Sequence, residues 1–510
     1  MSQRNSKLKS FDEVVELIPN LRNGSRKIVL CHGVFDLLHI GHIRHFEQAK
    51  QMGDVLVVTV TPDRYVNKGV GRPVFNQDLR AEAIASLDCV DYVAINKWPM
   101  AIETINRLRP DFYVKGADYL DSEKDRTGGI ELEATAVKSV GGQISFTNDI
   151  TFSSSNLINH HLGGVETEVS DFLAGFVAKY SSADVLNYLD NAGSLKVLVV
   201  GEAIIDEYLY CETMGKSGKE PVLAARFVSS EKFAGGIVAV ANNVSAFSKN
   251  VTMLSVLGGG DSQKDFIKSR MNSDIEPIFL FTDNDAPTIV KQRFVENYPF
   301  QKLFEMYLMD DGDLGASQPE ALIRTLETEV PKYDVVIVAD YGHGMLGPEA
   351  VDVLCNKARF LAVNTQVNAG NLGFNTVSKY PQADFVCVSE TEMRLDARSR
   401  RKDIKEILAD VGKRLNCDQI MVTQGKEGCL SYGKQEGFFK IPAFASNVVD
   451  RIGAGDAVFA IAALCAVQKA PMEMIGFIGN VVGAQAIATV GHRESIQRPA
   501  LERHIETLLK

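Results

Sequence analysis

Short, nearly continuous apolar runs separated by amphipathic segments organise the first part of the chain. Lys27–Cys31, Asp54–Val60, Val90–Ile95, Asp111–Val114 and Gln143–Phe146 read as strands buried on both faces, and Gln77–Leu87 and Met100–Leu108 read as helices between them. Ile43, Phe46 and Ala49 fall on one face of a further helix that ends near Gly53. This alternation predicts a parallel sheet covered on both sides, whose ligands bind beyond the carboxyl ends of its strands. After Gly163-Gly164, the segment Glu166–Asn191 predicts two helices broken at Ser181-Ser182-Ala183-Asp184. A second set of apolar runs, Lys196–Gly201, Asp334–Ala339, Phe360–Val363, Asp384–Val388 and Gln419–Thr423, predicts another three-layer α/β domain. Cys211–Phe227 and Lys291–Leu308 are richer in strand formers with short turns and predict a small antiparallel lid. The two halves share no detectable repeat, so the expected organisation is a fusion of residues 1–165, a helical linker 166–193, and residues 194–510.

With 510 residues, 45% hydrophobic and 23% charged, the chain is long enough for two or three domains with their own cores. The net charge of −11 argues against nucleic acid or acidic membrane as a partner, while leaving anionic small molecules compatible with a few cations in a cleft. Eight scattered cysteines without a Cys-x-x-Cys pair, an N-terminus without an apolar signal region, and the lack of a bilayer-length apolar run predict a reduced, cytoplasmic protein.

Candidate chemistry begins where the first strand meets the first long helix, in Cys31-His32-Gly33-Val34-Phe35-Asp36-Leu37-Leu38-His39-Ile40-Gly41-His42. A helix N-terminus offers unpaired N–H groups and a positive dipole end, so it holds phosphate oxygens without covalent chemistry. His32, His39, His42 and His45 also invite a zinc reading, yet no Cys or carboxylate stands beside them at structural-zinc spacing. Asp36 reads either as a substrate contact or as a residue that orients the loop. Gly33, Phe35, Asp36, His39, Gly41 and His42 match in order the Gly-x-Phe-Asp-x-x-His-x-Gly-His signature, and the run resembles the nucleotidyltransferase superfamily of polyol-phosphate cytidylyltransferases and heptose-1-phosphate adenylyltransferases. The resemblance implies in-line attack of a phosphate oxygen on the α-phosphorus of a nucleoside triphosphate, with His39 and His42 stabilising charge. It extends to Lys68 and Arg72 in a glycine-punctuated loop, to Lys115 in Lys115-Gly116-Ala117-Asp118-Tyr119, and to Ser153 and Ser154 in a serine triplet, which are thereby expected to contact the nucleotide.

A second loop of the same physical kind, Asp450-Arg451-Ile452-Gly453-Ala454-Gly455-Asp456, feeds an alanine-rich helix from Ala457 to Val467. Small residues let backbone N–H groups approach a phosphoryl group, and the carboxylate of Asp456 can take a proton from an attacking hydroxyl. In combination with Gly201 to Asp206, Gly235-Gly236 and Thr423-x-Gly425-x-x-Gly428, this resembles the ribokinase-like sugar kinases over about residues 194–500. The resemblance implies Asp456 as base, an anion hole at Gly453, Ala454 and Gly455, and sugar contacts from Asp206, Gly235 and Gly236. It further implies nucleotide contacts from Thr423, Gly425, Gly428 and Asn480, with Gly483 nearby, and an indirect magnesium role for Glu392. The chain departs from that pattern at Ala239, where relatives carry a sugar-binding Asn, at Ser389, where Asn-x-x-Glu is usual, at Asn364-Thr365-Gln366, where Asp-x-Lys is common, and at Ile452, where Thr or Ser is common.

Both resemblances together point to the bifunctional heptose-phosphate kinase/heptose-1-phosphate adenylyltransferases, with the domain order reversed. The fold class expected is α/β, a Rossmann-like nucleotidyltransferase domain followed by a ribokinase-like α/β/α domain with a small β lid. The implied activities are ATP-dependent phosphorylation of a sugar or sugar phosphate and nucleotidyl transfer from ATP or CTP to a sugar 1-phosphate, with magnesium at both heads and a homodimer formed through the kinase lid. Two alternatives stay open: a polyol-phosphate cytidylyltransferase fused to a polyol kinase, and a nucleotidyltransferase joined to a silent kinase-like binding module.

Overall fold

In the computed structural model the apolar runs of the N-terminal part become five parallel strands, β1 (Ile28–Gly33), β2 (Val55–Val60), β3 (Tyr92–Ile95), β4 (Phe112–Lys115) and β5 (Gln143–Phe146), in the order β3-β2-β1-β4-β5. The structure describes residues 7–23, 25–66, 73–116, 129–147, 167–282, 284–298, 300–310, 320–445 and 448–509. Successive β1 residues enter opposite cores. Ile28 and Leu30 belong to a cluster with Phe11, Ile105 and Tyr113, whereas Val29 and Cys31 pack with Phe46, Ala49 and Ile84. Each fully buried Leu- or Phe-sized side chain contributes roughly 2–3 kcal/mol, and a one-residue slip would exchange the two faces, so this double burial holds the register. Strand order reverses at β1, which makes the crevice beyond its carboxyl end the switch point of the sheet. The histidine-rich loop leaves β1 at that end.

By contact density the chain separates into Met1–Ser170 with Glu502–Lys510, and Asp171–Leu501. Helices Thr167–Val177 and Ser182–Asn191 form where the periodicity places them, and the break between them is a capping box of Ser181 with Asp184. Within the second unit, Phe172 and Phe176 of the first of these helices pack on Phe444 and Phe477, the Phe176 and Phe477 rings stacking 4.4 Å apart.

The second unit contains β6 (Lys196–Gly201), β7 (Ala203–Lys216), β8 (Leu223–Gly236), β9 (Asn250–Leu257), β10 (Ile275–Phe281), β11 (Ile289–Glu296), β12 (Gln301–Leu308), β13 (Val335–Asp340), β14 (Leu361–Thr365), β15 (Phe385–Ser389), β16 (Gln419–Thr423), β17 (Cys429–Gly433) and β18 (Gly437–Ile441). Its main sheet runs β10-β9-β6-β13-β14-β15-β16-β17-β18, parallel up to β16 and antiparallel in the final hairpin. The smaller sheet, β12-β11-β7-β8, differs from the antiparallel lid expected from the sequence, because its central pair β7 and β11 is parallel. The reason is topological: the chain leaves β8, builds β9 and β10 in the main sheet, and returns to the lid as β11. No helix of the described residues is long and apolar enough to cross a membrane.

Candidate functional site

In the N-terminal unit, helix Ile40–Lys50 begins at His39, whose Nδ1 accepts the Gly41 N–H at 3.1 Å as an N-cap. With Nδ1 accepting, a neutral imidazole carries its hydrogen on Nε2, the nitrogen then able to donate to a phosphate oxygen. Burial lowers the pKa of His39, which favours this neutral form. The His39 and His42 rings stack 4.0 Å apart, and Phe35 packs edge-on against His42 at 5.5 Å. Phe35 and Leu37 are held at φ of 49° and 54°, a left-handed conformation unusual for side chains of this size and typical of a loop constrained by its surroundings. A Cβ at Gly33 would lie 3.0 Å from the Phe35 ring, close enough that the ring would have to shift.

Asp36 bonds to the backbone just ahead of helix Gln77–Ala85. Its carboxylate is 1% exposed and accepts the Val74 N–H at 2.9 Å and that of Phe75 at 3.4 Å, anchoring the chain that follows residues 67–72. Arg80 reinforces the anchor by donating to the carbonyls of Phe75, Val34 and Thr61 and pairing with Asp63. Lys115 is nearly buried and pairs with Glu133 at 2.9 Å, and Glu133 also accepts the Tyr113 hydroxyl at 2.8 Å. His32 and His45 hold Thr59 and Thr147 at 2.9 Å, and burial brings both imidazoles down to about 4. Lys68, Arg72, Ser153 and Ser154 lie outside the described residues.

In the second unit, Asp456 lies in the first turn of helix Ala454–Ala466, 6% exposed. Its Oδ1 accepts both the Tyr341 hydroxyl at 2.9 Å and the Gln366 amide at 2.8 Å. Burial raises its pKa above the ordinary carboxylate value, with His492 opposing. Gly453 caps the helix at φ 79°, and a Cβ there would lie 2.3 Å from the His492 ring. His492 in turn stands 3.4 Å from Asp206, which is ion-paired with Arg293. Gly235 and Gly236 pass close beneath: a Cβ at Gly235 would strike the Asp206 carboxylate at 2.2 Å. The loop is fastened to the lid through Asp450, whose carboxylate accepts the Tyr208 hydroxyl at 2.7 Å, Lys302 at 2.6 Å and the Gly491 N–H at 3.0 Å. Ile452 packs with Tyr208, Phe233 and Val295, which accounts for an apolar residue where a hydroxyl is common.

On the opposite side, Thr423 ends β16, and Gly425 and Gly428 shape the turn into β17 with φ of 59° and 87°. Asn480 donates to the Gly476 carbonyl and to Cys429 Sγ, both at 3.0 Å. Glu392 forms a capping box with Ser389, and its other oxygen accepts the Val367 N–H at 3.0 Å.

Residues 194–499 match the pfkB family of carbohydrate kinases. The chain belongs to that family. Residues 30–161 match the cytidylyltransferase-like family, so the pfkB unit follows a nucleotidyltransferase-like domain. Among curated proteins the chain is similar to the bifunctional protein HldE of Aliarcobacter butzleri, 43% identical over 29% of this chain and 31% of that protein. It is also similar to the bifunctional protein HldE of Desulfatibacillum aliphaticivorans, 26% identical over 58% of this chain and 60% of that protein. The chain thus spans less than two thirds of either relative's length. Among solved structures, ribokinase from Giardia lamblia aligns with a TM-score of 0.48 and 15% identity over 60% of this chain and 99% of that one.

Several residues around Asp456 were not legible as motifs: Tyr341 on its carboxylate, His492 against Gly453 and Asp206, and Arg293 on Asp206. Gln366 occupies the position where the family pattern has a lysine. Gly453→Ala is expected to lower pfkB-unit phosphorylation by about 100-fold or more, because both the φ and the His492 contact oppose a Cβ at this helix start. Steady-state kinetics with a melting-temperature control checks it.

Glu202, beyond the end of β6, accepts the N–H groups of Tyr341 and His343 at 3.0 and 3.1 Å. Burial first, and then Asp340, raise its carboxyl to about 7. A carboxyl raised in the folded state adds stability that is present below its unfolded value and is lost as pH rises through about 7. The melting temperature of the second unit is therefore expected to fall between pH 5 and pH 8, and Glu202→Gln to reduce that fall by a few degrees, on the order of the shift expected for about 1 kcal/mol. A pH series of thermal melts reads this directly; an unchanged slope in the variant contradicts it.

The described residues contain no group of three or more His, Cys, Asp or Glu side chains placed to hold a metal ion. Each Glu392 oxygen accepts one backbone N–H, which fixes the carboxylate's orientation.

Proposed function

We propose that the chain is a two-headed enzyme of nucleotide-sugar formation. The pfkB head transfers the γ-phosphoryl group of ATP to a hydroxyl of a sugar or sugar phosphate, heptose-like by analogy with the HldE relatives. Asp456 accepts the hydroxyl proton, and the N–H groups at Gly453, Ala454 and Gly455 stabilise the moving charge. Asp206, Gly235 and Gly236 shape the sugar pocket, while Thr423, Gly425, Gly428 and Asn480 flank the nucleotide. The cytidylyltransferase-like head joins a sugar 1-phosphate to the nucleoside monophosphate of ATP or CTP and releases pyrophosphate. His39 and His42 act at the α-phosphate there, with Lys68, Arg72, Lys115, Ser153 and Ser154 as further nucleotide contacts. No residue need act as nucleophile, since positioning and charge stabilisation suffice. Magnesium enters with the nucleotide, keeping water and phosphate oxygens as its ligands.

The observation that carries the reading is the arrangement at Asp456: a buried carboxylate in the first turn of a helix, with both hydrogen bonds on Oδ1, leaves Oδ2 for the substrate hydroxyl. The domain boundaries near residues 165 and 194, the homodimer and the cytoplasmic setting belong to the same proposal. Exposed apolar residues on the lid strands, among them Met214, Phe227 and Phe304, support pairing through the lid. Sedimentation velocity of the full chain is expected to give twice the monomer mass.

Two assays on the full chain test the activities: ADP release with a panel of sugars and sugar phosphates, and pyrophosphate release with ATP or CTP and sugar or polyol phosphates. Pyrophosphate release with CTP and a polyol phosphate alone would favour the polyol reading. ATP consumption with none of the sugars would make the pfkB half a binding module, the reading that Ala239 and Ser389 favour.

A further inference from the structure

The register of β13 with β14 ends at Asp340 and Thr365, and the next residue of each strand supplies one of the two donors to Asp456 Oδ1: Tyr341 after β13 and Gln366 after β14. Beyond the ladder these two residues are tied by side chains of the loop 367–376, which carries Asn368, Asn371 and Asn375. Asn371 is 8% exposed, and its Nδ2 donates to the Tyr341 carbonyl at 3.0 Å and to the Gln366 carbonyl at 3.2 Å, while its Oδ1 accepts the Asn368 N–H at 2.9 Å. Asn368 gives the Tyr341 carbonyl a second donor at 2.7 Å, and Asn375 gives the Gln366 carbonyl a second at 3.3 Å. Of the three asparagines, Asn371 spans both strand ends. Gly342 admits it, since a Cβ there would lie 2.3 Å from Asn371 Nδ2. A primary amide has two N–H groups, and Asn371 gives one to each residue whose side chain holds the base.

We propose that Asn371 is a positioning residue for phosphoryl transfer: by tying the Tyr341 and Gln366 backbones together, it makes their side chains converge on one oxygen of Asp456 and leaves the other oxygen for the acceptor hydroxyl. The inference rests on the carbohydrate-kinase reading of Asp456. Donors from two separate strand ends must meet at a single oxygen, at 2.9 and 2.8 Å, so a shift of either end by about 1 Å breaks a bond and turns the carboxylate, and misplacement of that size costs up to about 100-fold in rate. The same two bonds tune the base. Burial raises the Asp456 pKa and Asp206 adds to the rise, whereas His492 and the hydrogen bonds from Tyr341 and Gln366 oppose it. Loosening the clamp therefore moves the carboxyl further up.

The test compares the wild-type full chain with Asn371→Ala and Asn371→Gln, with ADP release from ATP and the sugar or sugar phosphate that the wild type accepts as the readout. Asn371→Ala is expected to lower kcat by about 10- to 100-fold while the KM values for ATP and acceptor stay within about twofold, and to move the acid limb of kcat to higher pH. Each carbonyl keeps its second amide donor, so the variant should melt within about 5 °C of wild type. Asn371→Gln, whose donors sit one methylene further out, should fall between the two in kcat, and it carries the comparison if Asn371→Ala does not fold. In a Tyr341→Phe/Gln366→Met background, adding Asn371→Ala should lower kcat by less than about threefold, because the side chains through which it acts are already gone. An active wild type whose kcat survives Asn371→Ala overturns the inference alone, as does a loss confined to KM, an acid limb that stays in place, a loss that is fully additive in the double background, or an Asn371→Gln enzyme identical to wild type. A wild type that phosphorylates none of the acceptors overturns the kinase reading and the inference with it.

Discussion

Asp456→Asn is expected to lower ATP-dependent phosphorylation at least about 10³-fold while leaving pyrophosphate-releasing nucleotidyl transfer within about twofold of wild type. The side chain keeps its shape but can no longer accept a proton, and the loss should appear in kcat rather than in the KM for either substrate. The carboxylate is prepared for that task by its surroundings. Tyr341 and Gln366 both donate to Oδ1, fixing the rotamer, and burial holds its pKa above the ordinary carboxylate value, which makes it a stronger base. Because only the ionised form accepts a proton, wild-type kinase activity is expected to fall on the acid side at a pH above the ordinary carboxylate range, and no such limb should govern the other head. Unfolding is not the explanation for a loss of this kind: neutralising a buried carboxylate whose pKa is raised removes a destabilising charge near neutral pH, so the variant should melt no lower than wild type.

The second large effect lies at the other head. His42→Ala is expected to lower nucleotidyl transfer by about 10² to 10³-fold, the loss associated with one preorganised donor at a developing charge, and to spare phosphorylation. His42 is held between the stacked His39 ring and the edge of Phe35, so its position is set before any nucleotide arrives. His39→Asn separates chemistry from folding. Asparagine is a good N-cap, so helix Ile40–Lys50 keeps its start, but the imidazole donor is lost. A comparable drop in pyrophosphate release, with thermal stability retained, is the expected result; activity that survives His39→Asn would assign His39 to capping alone.

Much of this architecture is visible in the amino-acid order because it is local. The apolar runs at Ile28–Cys31 and Val55–Val60 are long enough to be strands and too short to be helices, and their nearly continuous hydrophobicity states that both faces are covered. The two helix starts are equally plain, since His39-Ile40-Gly41-His42 and Gly453-Ala454-Gly455-Asp456 place small and polar residues where backbone N–H groups must stay accessible. What pairs across long stretches of chain is not visible. His492 reaches Gly453 and Asp206 beside Gly491, whose N–H is caught by Asp450, and nothing in the sequence around His492 announces that contact. Nothing around Lys115 in the sequence announces that Glu133 of helix Gly129–Ser139 pairs with it. The parallel β7–β11 pairing was hidden for the same reason, because pairing direction depends on what the chain builds between the two strands. Glu392 shows the opposite case. Ser389, which looks like a departure from a metal-organising pattern, is the N-cap that turns Glu392 into its capping-box partner.

The central claim, two independent phosphate-handling helix termini on one chain, is tested most directly by phosphorus NMR of the full protein supplied with ATP and CTP and a panel of sugars and sugar phosphates, run for wild type, His42→Ala and Asp456→Asn. The account predicts a new sugar phosphate ester that persists in His42→Ala and vanishes in Asp456→Asn, together with a nucleotide-sugar diphosphate and pyrophosphate, formed from supplied sugar 1-phosphate, that show the reverse dependence. Loss of both products in either variant, or of neither in both, would contradict it.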